Sequence, residues 1–246
     1  MVPIVPASTV MILREQADTI EVLLLKRNST LAFAPDVWVF PGGRIDTTDG
    51  SSESSQLIAS AMQAAVRECK EETDLDITTS SLYHFCKWTT PAGVNRRFET
   101  FFFHALLQGE HQSVQIDDSE IIDHKWLKPL AALREFQNKK INLLPPTFIT
   151  LERIKDCQTY SEVVQEYERT GIVVAEPVTT FKGGKFYSLY KGDSGYESND
   201  ISIGESLHRL EMDFALGRYE FRYENSKYPP VHGGVRLSSA RIHQER

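Results

Sequence analysis

The chain has 246 residues, 41% of them hydrophobic and 25% charged, enough for one large folded unit or for a unit of about 140 residues with an appendage. A formal net charge of −7 argues against nucleic acid or an anionic membrane surface as a partner. It leaves room for an anionic small molecule drawn in by bound cations or local Arg residues. Three widely spaced cysteines, Cys69, Cys86 and Cys157, with no CxxC pair, argue against a disulfide framework or zinc cluster and point to free thiols in a reducing compartment. Met1 to Thr9 shows no basic region followed by an apolar core, and no apolar run approaches membrane-span length, so a cytoplasmic protein acting apart from membranes is the simplest expectation.

The β-branched, apolar runs Ser8 to Leu13 and Ile20 to Lys26, separated by Arg14-Glu15-Gln16-Ala17-Asp18, predict a hairpin. Asp36 to Phe40 predicts a short strand stopped by Pro41, after which Gly42-Gly43 lets the backbone approach a neighbour closely. The serine-rich stretch from Thr47 to Ser55 is a loop by composition, with a late serine expected to cap a helix running from about Gln56 to Thr73. The core face of that helix is expected to use Ile58, Met62, Val66 and Cys69. Strands are predicted over Tyr83 to Thr89, Arg97 to Leu107 and Ile121 to Leu127, then a helix from about Pro129 to Gln137. Strands flanking a helix, mixed with hairpins, imply an α/β (α+β) fold, a mixed sheet covered by helices on both faces. Composition changes near Asn138, so residues 1–138 are expected to form the main domain and residues 139–246 an extension packed on it. In that extension Leu144-Pro145-Pro146 opens a helix to Asp156, and Ser161 to Arg169 forms another. Its remaining hairpins and irregular segments leave three roles open: covering the site, setting specificity or building a homodimer interface.

On the helix ending at Thr73, Glu68, Glu71 and Glu72 fall within roughly one third of the circumference. Three carboxylates so placed repel one another. Their spacing makes sense around a hard divalent cation such as Mg²⁺ or Mn²⁺. A solvated acidic face is the plainer reading of any Glu-rich helix. The turn Phe40-Pro41-Gly42-Gly43-Arg44, some two dozen residues earlier, decides against it.

A Phe-Pro-Gly-Gly turn, a loop, then Arg-Glu-x-x-Glu-Glu on a helix resembles the Nudix box: Gly, five residues, Glu, seven residues, Arg-Glu-U-x-Glu-Glu-x-Gly-U, where U is bulky and apolar. Gly43, Arg67, Glu68, Glu71, Glu72 and Leu75 occupy matching positions. Arg67 lies 24 residues after Gly43, against 14 in the pattern, so about ten residues are inserted. Counting back from Arg67 puts the first Glu of the pattern on Ala59, whereas Glu53 takes that role if the insertion lies after it. Asp74 replaces the glycine ending the helix, and Asp tolerates the left-handed cap that this position needs.

The resemblance implies a Nudix-like α/β/α sandwich and a Mg²⁺- or Mn²⁺-dependent attack of water on a diphosphate within a small nucleoside-diphosphate-linked substrate. It makes Glu68 and Glu72 metal ligands, Glu71 a ligand or water-positioning carboxylate, the Gly42 carbonyl a further ligand, and Gly43 part of the substrate-facing turn. Arg67 pairs with a neighbouring carboxylate, and Glu120 is the candidate carboxylate from a later loop. Leu23-Leu24-Leu25-Lys26-Arg27, Phe33-Ala34-Pro35, Trp88-Thr89-Thr90-Pro91, Arg96 to Phe102 and Leu144-Pro145-Pro146-Thr147 are similar to the acyl-CoA diphosphatase branch, which cleaves CoA or its esters into a phosphopantetheine and adenosine 3′,5′-bisphosphate. Arg27, Arg96 and Arg97 are then candidate phosphate contacts. Asp36 falls near a glycine of that branch's signature. The alternatives are cleavage of ADP-ribose, a nucleotide sugar or a dinucleotide, and a non-catalytic regulatory module, whose sign would be lost Glu residues.

Overall fold

The computed structural model describes residues 2–16, 19–31, 34–51, 53, 55–109, 113–116, 118–214, 216–228 and 230–231. Ala17, Asp18, Phe33, Ser52, Ser54 and Asp117, which carried parts of the sequence expectations, lie outside the described residues.

Strands β1 (Ile4–Gln16) and β2 (Thr19–Arg27) are the expected hairpin, extended by Arg14, Glu15 and Gln16, which the sequence assigned to the turn. A cross-strand ion pair, Arg14 to Glu21 at 2.6 Å, with Arg14 over the Trp126 ring at 4.3 Å, keeps those polar residues in the ladder. The two strands pair only at this end, Leu13–Gln16 against Thr19–Val22, and then diverge. Into the fork comes β4 (Gly42–Arg44), which pairs with Ala7–Thr9 of β1, after the short β3 (Trp38–Val39) has paired with β2. Asp36 adopts φ 56°, a left-handed backbone that Asp tolerates better than most residues. A 3₁₀ turn over Thr47–Asp49 leads toward helix α1 (Leu57–Thr73). Strands β5 (Tyr83–Thr89), β6 (Arg97–Leu106) and β7 (Ile121–Leu127) and helix α2 (Pro129–Gln137) follow as the sequence predicted, with β6 parallel to β1 along its whole length.

The alternating side chains of the central strands build two cores. Val10 and Ile12 of β1 with Leu23 and Leu25 of β2 face α1, while Met11 and Leu13 with Val22 and Leu24 face α2 and the helices after it. Helix α1 departs in part from its predicted face. Cys69 is buried as expected, but the other buried apolar positions are Ala61, Ala64 and Ala65, whereas Ile58 is exposed and Met62 and Val66 are only partly buried. The physical cause is close approach: Ser8 Oγ donates to the Ala61 carbonyl at 2.6 Å, a distance that small side chains permit and large ones would prevent. The helix begins after Gln56 with no side-chain cap, so the expected serine cap is not formed. At its other end Asp74 takes the left-handed conformation, φ 59°, as the sequence required.

Beyond residue 138, α3 (Pro145–Ile154) and α4 (Tyr160–Thr170) pack on the second core, and β8 (Val173–Ala175) joins the main sheet beside β5. The division expected there therefore does not fall at a gap in packing. Next comes an antiparallel meander of β9 (Val178–Lys182), β10 (Lys185–Leu189), β11 (Leu207–Asp213) and β12 (Arg218–Glu224). Tyr219 of β12 packs against Phe136 of α2 and Phe148 of α3, joining the meander to the core. Among the described residues no helix is long and apolar enough to cross a membrane.

His208 of β11 carries a pH sensitivity. Its Nδ1 donates to the Lys191 carbonyl at 2.8 Å, and its Nε2 accepts from the Val231 N–H at 3.1 Å, so the neutral ring is required. Burial pulls its pKa down to about 4, with Asp193 acting in the opposite direction. The unfolded chain binds this proton below about pH 6.5 and the fold does not, so stability is present above that pH and is lost as pH falls toward 4, by about 1.4 kcal/mol per unit. Urea titrations at pH 7 and pH 5 are expected to show that loss in the native protein and a smaller one in His208→Gln. Equal slopes would refute the assignment.

Candidate active site

The site is built where α1 crosses the fork of β1 and β2. Glycine is needed at Gly42 by close approach, since a Cβ there would overlap the Ser8 carbonyl, while a Cβ on Gly43 would displace the Glu68 carboxylate. That approach lets the Gly42 N–H donate to Glu72 Oε2 at 2.9 Å. Glu72 is only 7% exposed, and burial pushes its carboxyl up to about 8, with the charges of Glu68 and Glu120 acting in the same direction and Arg27 against them. Glu68 is also raised, first by burial.

Arg67 holds the acidic face in register. Its Nε and Nη2 make a bidentate pair with Asp49, each bond 2.9 Å, while its Nη1 lies 2.9 Å from both Glu68 Oε1 and Glu71 Oε2. Nη2 also donates to the Arg44 carbonyl at 3.0 Å, tying helix to turn. The Arg67 guanidinium holds Asp49 below the usual carboxylate range. Asp49 itself is fixed by the Asp46 N–H at 2.8 Å, across the 3₁₀ turn. This residue settles the question that the sequence left open. Glu53 is exposed and its N–H bonds to Ser51 Oγ, and Ala59 has no charge to offer; the bidentate partner of Arg67 is Asp49. Counting forward from Gly43 through five residues would have found it, with the insertion placed entirely between Asp49 and Arg67.

Of the other expected residues, Glu120 lies at the cleft lip, its carbonyl accepting from the Asn28 N–H, and its charge reaches Glu72. Arg27, Arg96 and Arg97 line the same cleft, of about 1310 Å³, and Arg97 Nε donates to the Thr90 carbonyl at 3.0 Å. The expected ligand set of Gly42, Glu68, Glu71 and Glu72 is on one wall but not converged, since Arg67 holds Glu68 and Glu71 while Gly42 holds Glu72. Among the described residues no three His, Cys, Asp or Glu side chains form a ready metal site. The donors nevertheless fit a hard divalent cation: they are all oxygens, and the carboxyls of Glu68 and Glu72 are raised first by burial and then by neighbouring carboxylates, Glu71 and Asp46 for the one and Glu68 and Glu120 for the other, which a cation would relieve.

Asp49→Ala is expected to lower kcat about 10- to 100-fold, since the clamp orients the acidic face without touching substrate. Glu53→Ala should leave it unchanged. Steady-state rates of both variants check this, and equal effects would remove Asp49 from the clamp.

A family model described as the NUDIX domain matches residues 3–146. The putative nudix hydrolase 7 of Caenorhabditis elegans is 26% identical over 262 aligned positions, covering 89% of this chain and 84% of that protein. The acyl-coenzyme A diphosphatase NUDT19 of Homo sapiens is 30% identical over 155 positions, covering 61% of this chain and 39% of that protein. In fold, the NUDIX hydrolase from Alicyclobacillus acidocaldarius superposes with a TM-score of 0.59 at 20% identity, covering 67% of this chain and 97% of that one. The glycine turn, the Arg67 clamp and the acidic helix thus stand within a matched domain spanning more than half the chain, and the protein belongs to the Nudix hydrolase family.

Proposed function

We propose that this hydrolase cleaves the diphosphate of a nucleoside-diphosphate-linked substrate with Mg²⁺ or Mn²⁺, and that CoA or its acyl esters are the substrates. Glu68, Glu72 and the Gly42 carbonyl would hold the cation. When bound, it neutralises diphosphate charge and acidifies a water. Arg67 and Asp49 keep Glu68 and Glu71 in place, Arg27, Arg96 and Arg97 bind phosphate oxygens, and Glu120 takes the proton of the attacking water. The water oxygen bonds to one phosphorus, the bridging P–O bond breaks, and two phosphate monoesters leave.

The observation that carries this reading is the buried, carboxylate-crowded Glu72 at the floor of a cleft whose lining also includes Arg27, Arg96 and Arg97. The cleft's volume, about 1310 Å³, exceeds the roughly 300–1,000 Å³ common for small-ligand sites and suits a nucleotide with a long arm. The similarity to a human acyl-coenzyme A diphosphatase supports the same substrate class. A panel of CoA, dodecanoyl-CoA, ADP-ribose, NADH and UDP-glucose, assayed with Mg²⁺, Mn²⁺ and excess EDTA, tests it. CoA or its ester should be cleaved fastest, and EDTA should abolish every activity. Turnover surviving EDTA would contradict the metal, and ADP-ribose turnover with CoA inert would contradict the substrate.

A further inference from the structure

The C-terminal meander has two unlike faces. The side chains of Lys185, Glu211 and Arg222 form an ion-pair ladder on one of them, Lys185 to Glu211 at 3.5 Å and Arg222 to Glu211 at 3.4 Å. The opposite face is apolar, and its register runs Phe181↔Phe186↔Met212↔Tyr219 across the four strands. At the β12 end this face is used up against α2 and α3, through Tyr219. At the β9–β10 end it meets nothing comparable: Phe186 is 43% exposed and Phe181 59%, and Phe214, just past β11, is 57% exposed. The three rings pack on one another, Phe181 to Phe186 at 4.7 Å and Phe186 to Phe214 at 5.3 Å. Phe186, Phe214, Met212 and Thr179 line the same cleft as Glu68 and Glu72, so this apolar wall and the acidic floor belong to one continuous cavity, with Arg96 and Arg97 also on its lining.

We propose that Phe186 and Phe214, backed by Phe181, form the binding wall for the apolar acyl end of the substrate, so that the C-terminal meander sets chain-length preference. The inference rests on the diphosphatase reading above and extends it to the far end of the substrate. Cavity continuity argues for part of the same molecule as occupant. The ring planes are inclined at 52° and 72°, so the wall offers no pair of parallel faces between which a planar heterocycle could be sandwiched. Charge agrees, since every cationic side chain lining the cavity lies outside the meander, whose wall offers rings and a thioether.

The test compares free CoA with hexanoyl- and dodecanoyl-CoA in the full chain and in Phe186→Ser/Phe214→Ser. The single variant Phe214→Ser, at the more exposed position, serves as the fold-safe companion. The native protein should bind dodecanoyl-CoA at least about tenfold more tightly than CoA by calorimetry, and show a matching difference in KM. The double variant should lose that difference, and Phe214→Ser part of it, with kcat/KM for free CoA within twofold of native. Equal losses on CoA and its esters, or an unchanged chain-length dependence, would overturn the proposal. So would a variant whose change lies in self-association by sedimentation or in binding to phosphatidylcholine vesicles. Failure of the parent reading is separate: it shows as no cleavage of CoA or any ester by the native protein, whatever the calorimetry reads.

Discussion

Glu72→Gln is expected to lower kcat on every substrate by about 10²- to 10³-fold, because it removes the charge that holds the cation in the proposed function. The same change should not weaken the metal-free fold. Glu72 is buried beside Glu68 and Glu120, and its carboxyl is pushed up to about 8. For an acid whose folded pKa lies above its unfolded value near 4.5, the folded state keeps the proton longer, so this group's contribution to stability falls as pH rises from 4.5 to 8. Glutamine has no such cost and still accepts from the Gly42 N–H. In EDTA at pH 8.5 the variant should melt above the native protein, by about 2–4 °C for each kcal/mol recovered. A variant that keeps native kcat would displace Glu72 from the chemistry. One that melts lower in EDTA would show that the carboxylate stabilises the fold and would contradict the burial argument.

Asp193→Ala is expected to be the most destabilising single change in the extension. Asp193 is fully buried and accepts from Arg209 Nε at 2.7 Å and Nη2 at 2.6 Å, and from the N–H groups of Gly195 and His208 at 2.9 Å. The same Arg209 donates to the carbonyls of Ile201 and Ile203 at 2.8 Å, so one ion pair closes the irregular connection between β10 and β11. Removing one partner of a buried pair leaves the other charge uncompensated, a cost of about 3–5 kcal/mol. Urea unfolding should show that loss for Asp193→Ala and a smaller one for Asp193→Asn, which keeps an acceptor. A loss under about 1 kcal/mol would mean that water reaches the pair. Because β10 and β11 carry Phe186 and Met212, partial unfolding here should also erase selectivity among acyl chain lengths before it erases turnover of CoA.

The chain by itself determined the parts whose information is local. The apolar, β-branched runs of β1 and β2 specified a hairpin, Pro129 and Pro145 marked helix starts, Asp74 ended α1 in a left-handed turn, and the Arg67–Glu68–Glu71–Glu72 spacing placed one guanidinium and three carboxylates on one helix face. These depend on backbone periods and turn chemistry, which a few neighbouring residues decide. Only the tertiary structure decided which face of α1 turned inward, since the close approach of β1 at Ser8 selects Ala61 and Ala65 over the larger Ile58 and Met62. It also decided which acid answers Arg67, because a ten-residue insertion separates Asp49 from it along the chain while the Arg44 carbonyl and the Asp49 carboxylate meet it in space. The apolar lining of the cleft was invisible for the same reason: Phe186 in a strand and Phe214 in a turn look ordinary until the meander packs on α2 and α3 and brings them to the cleft. Burial and long-range pairing are properties of the packed chain, and no local pattern encodes which distant surface a side chain will meet.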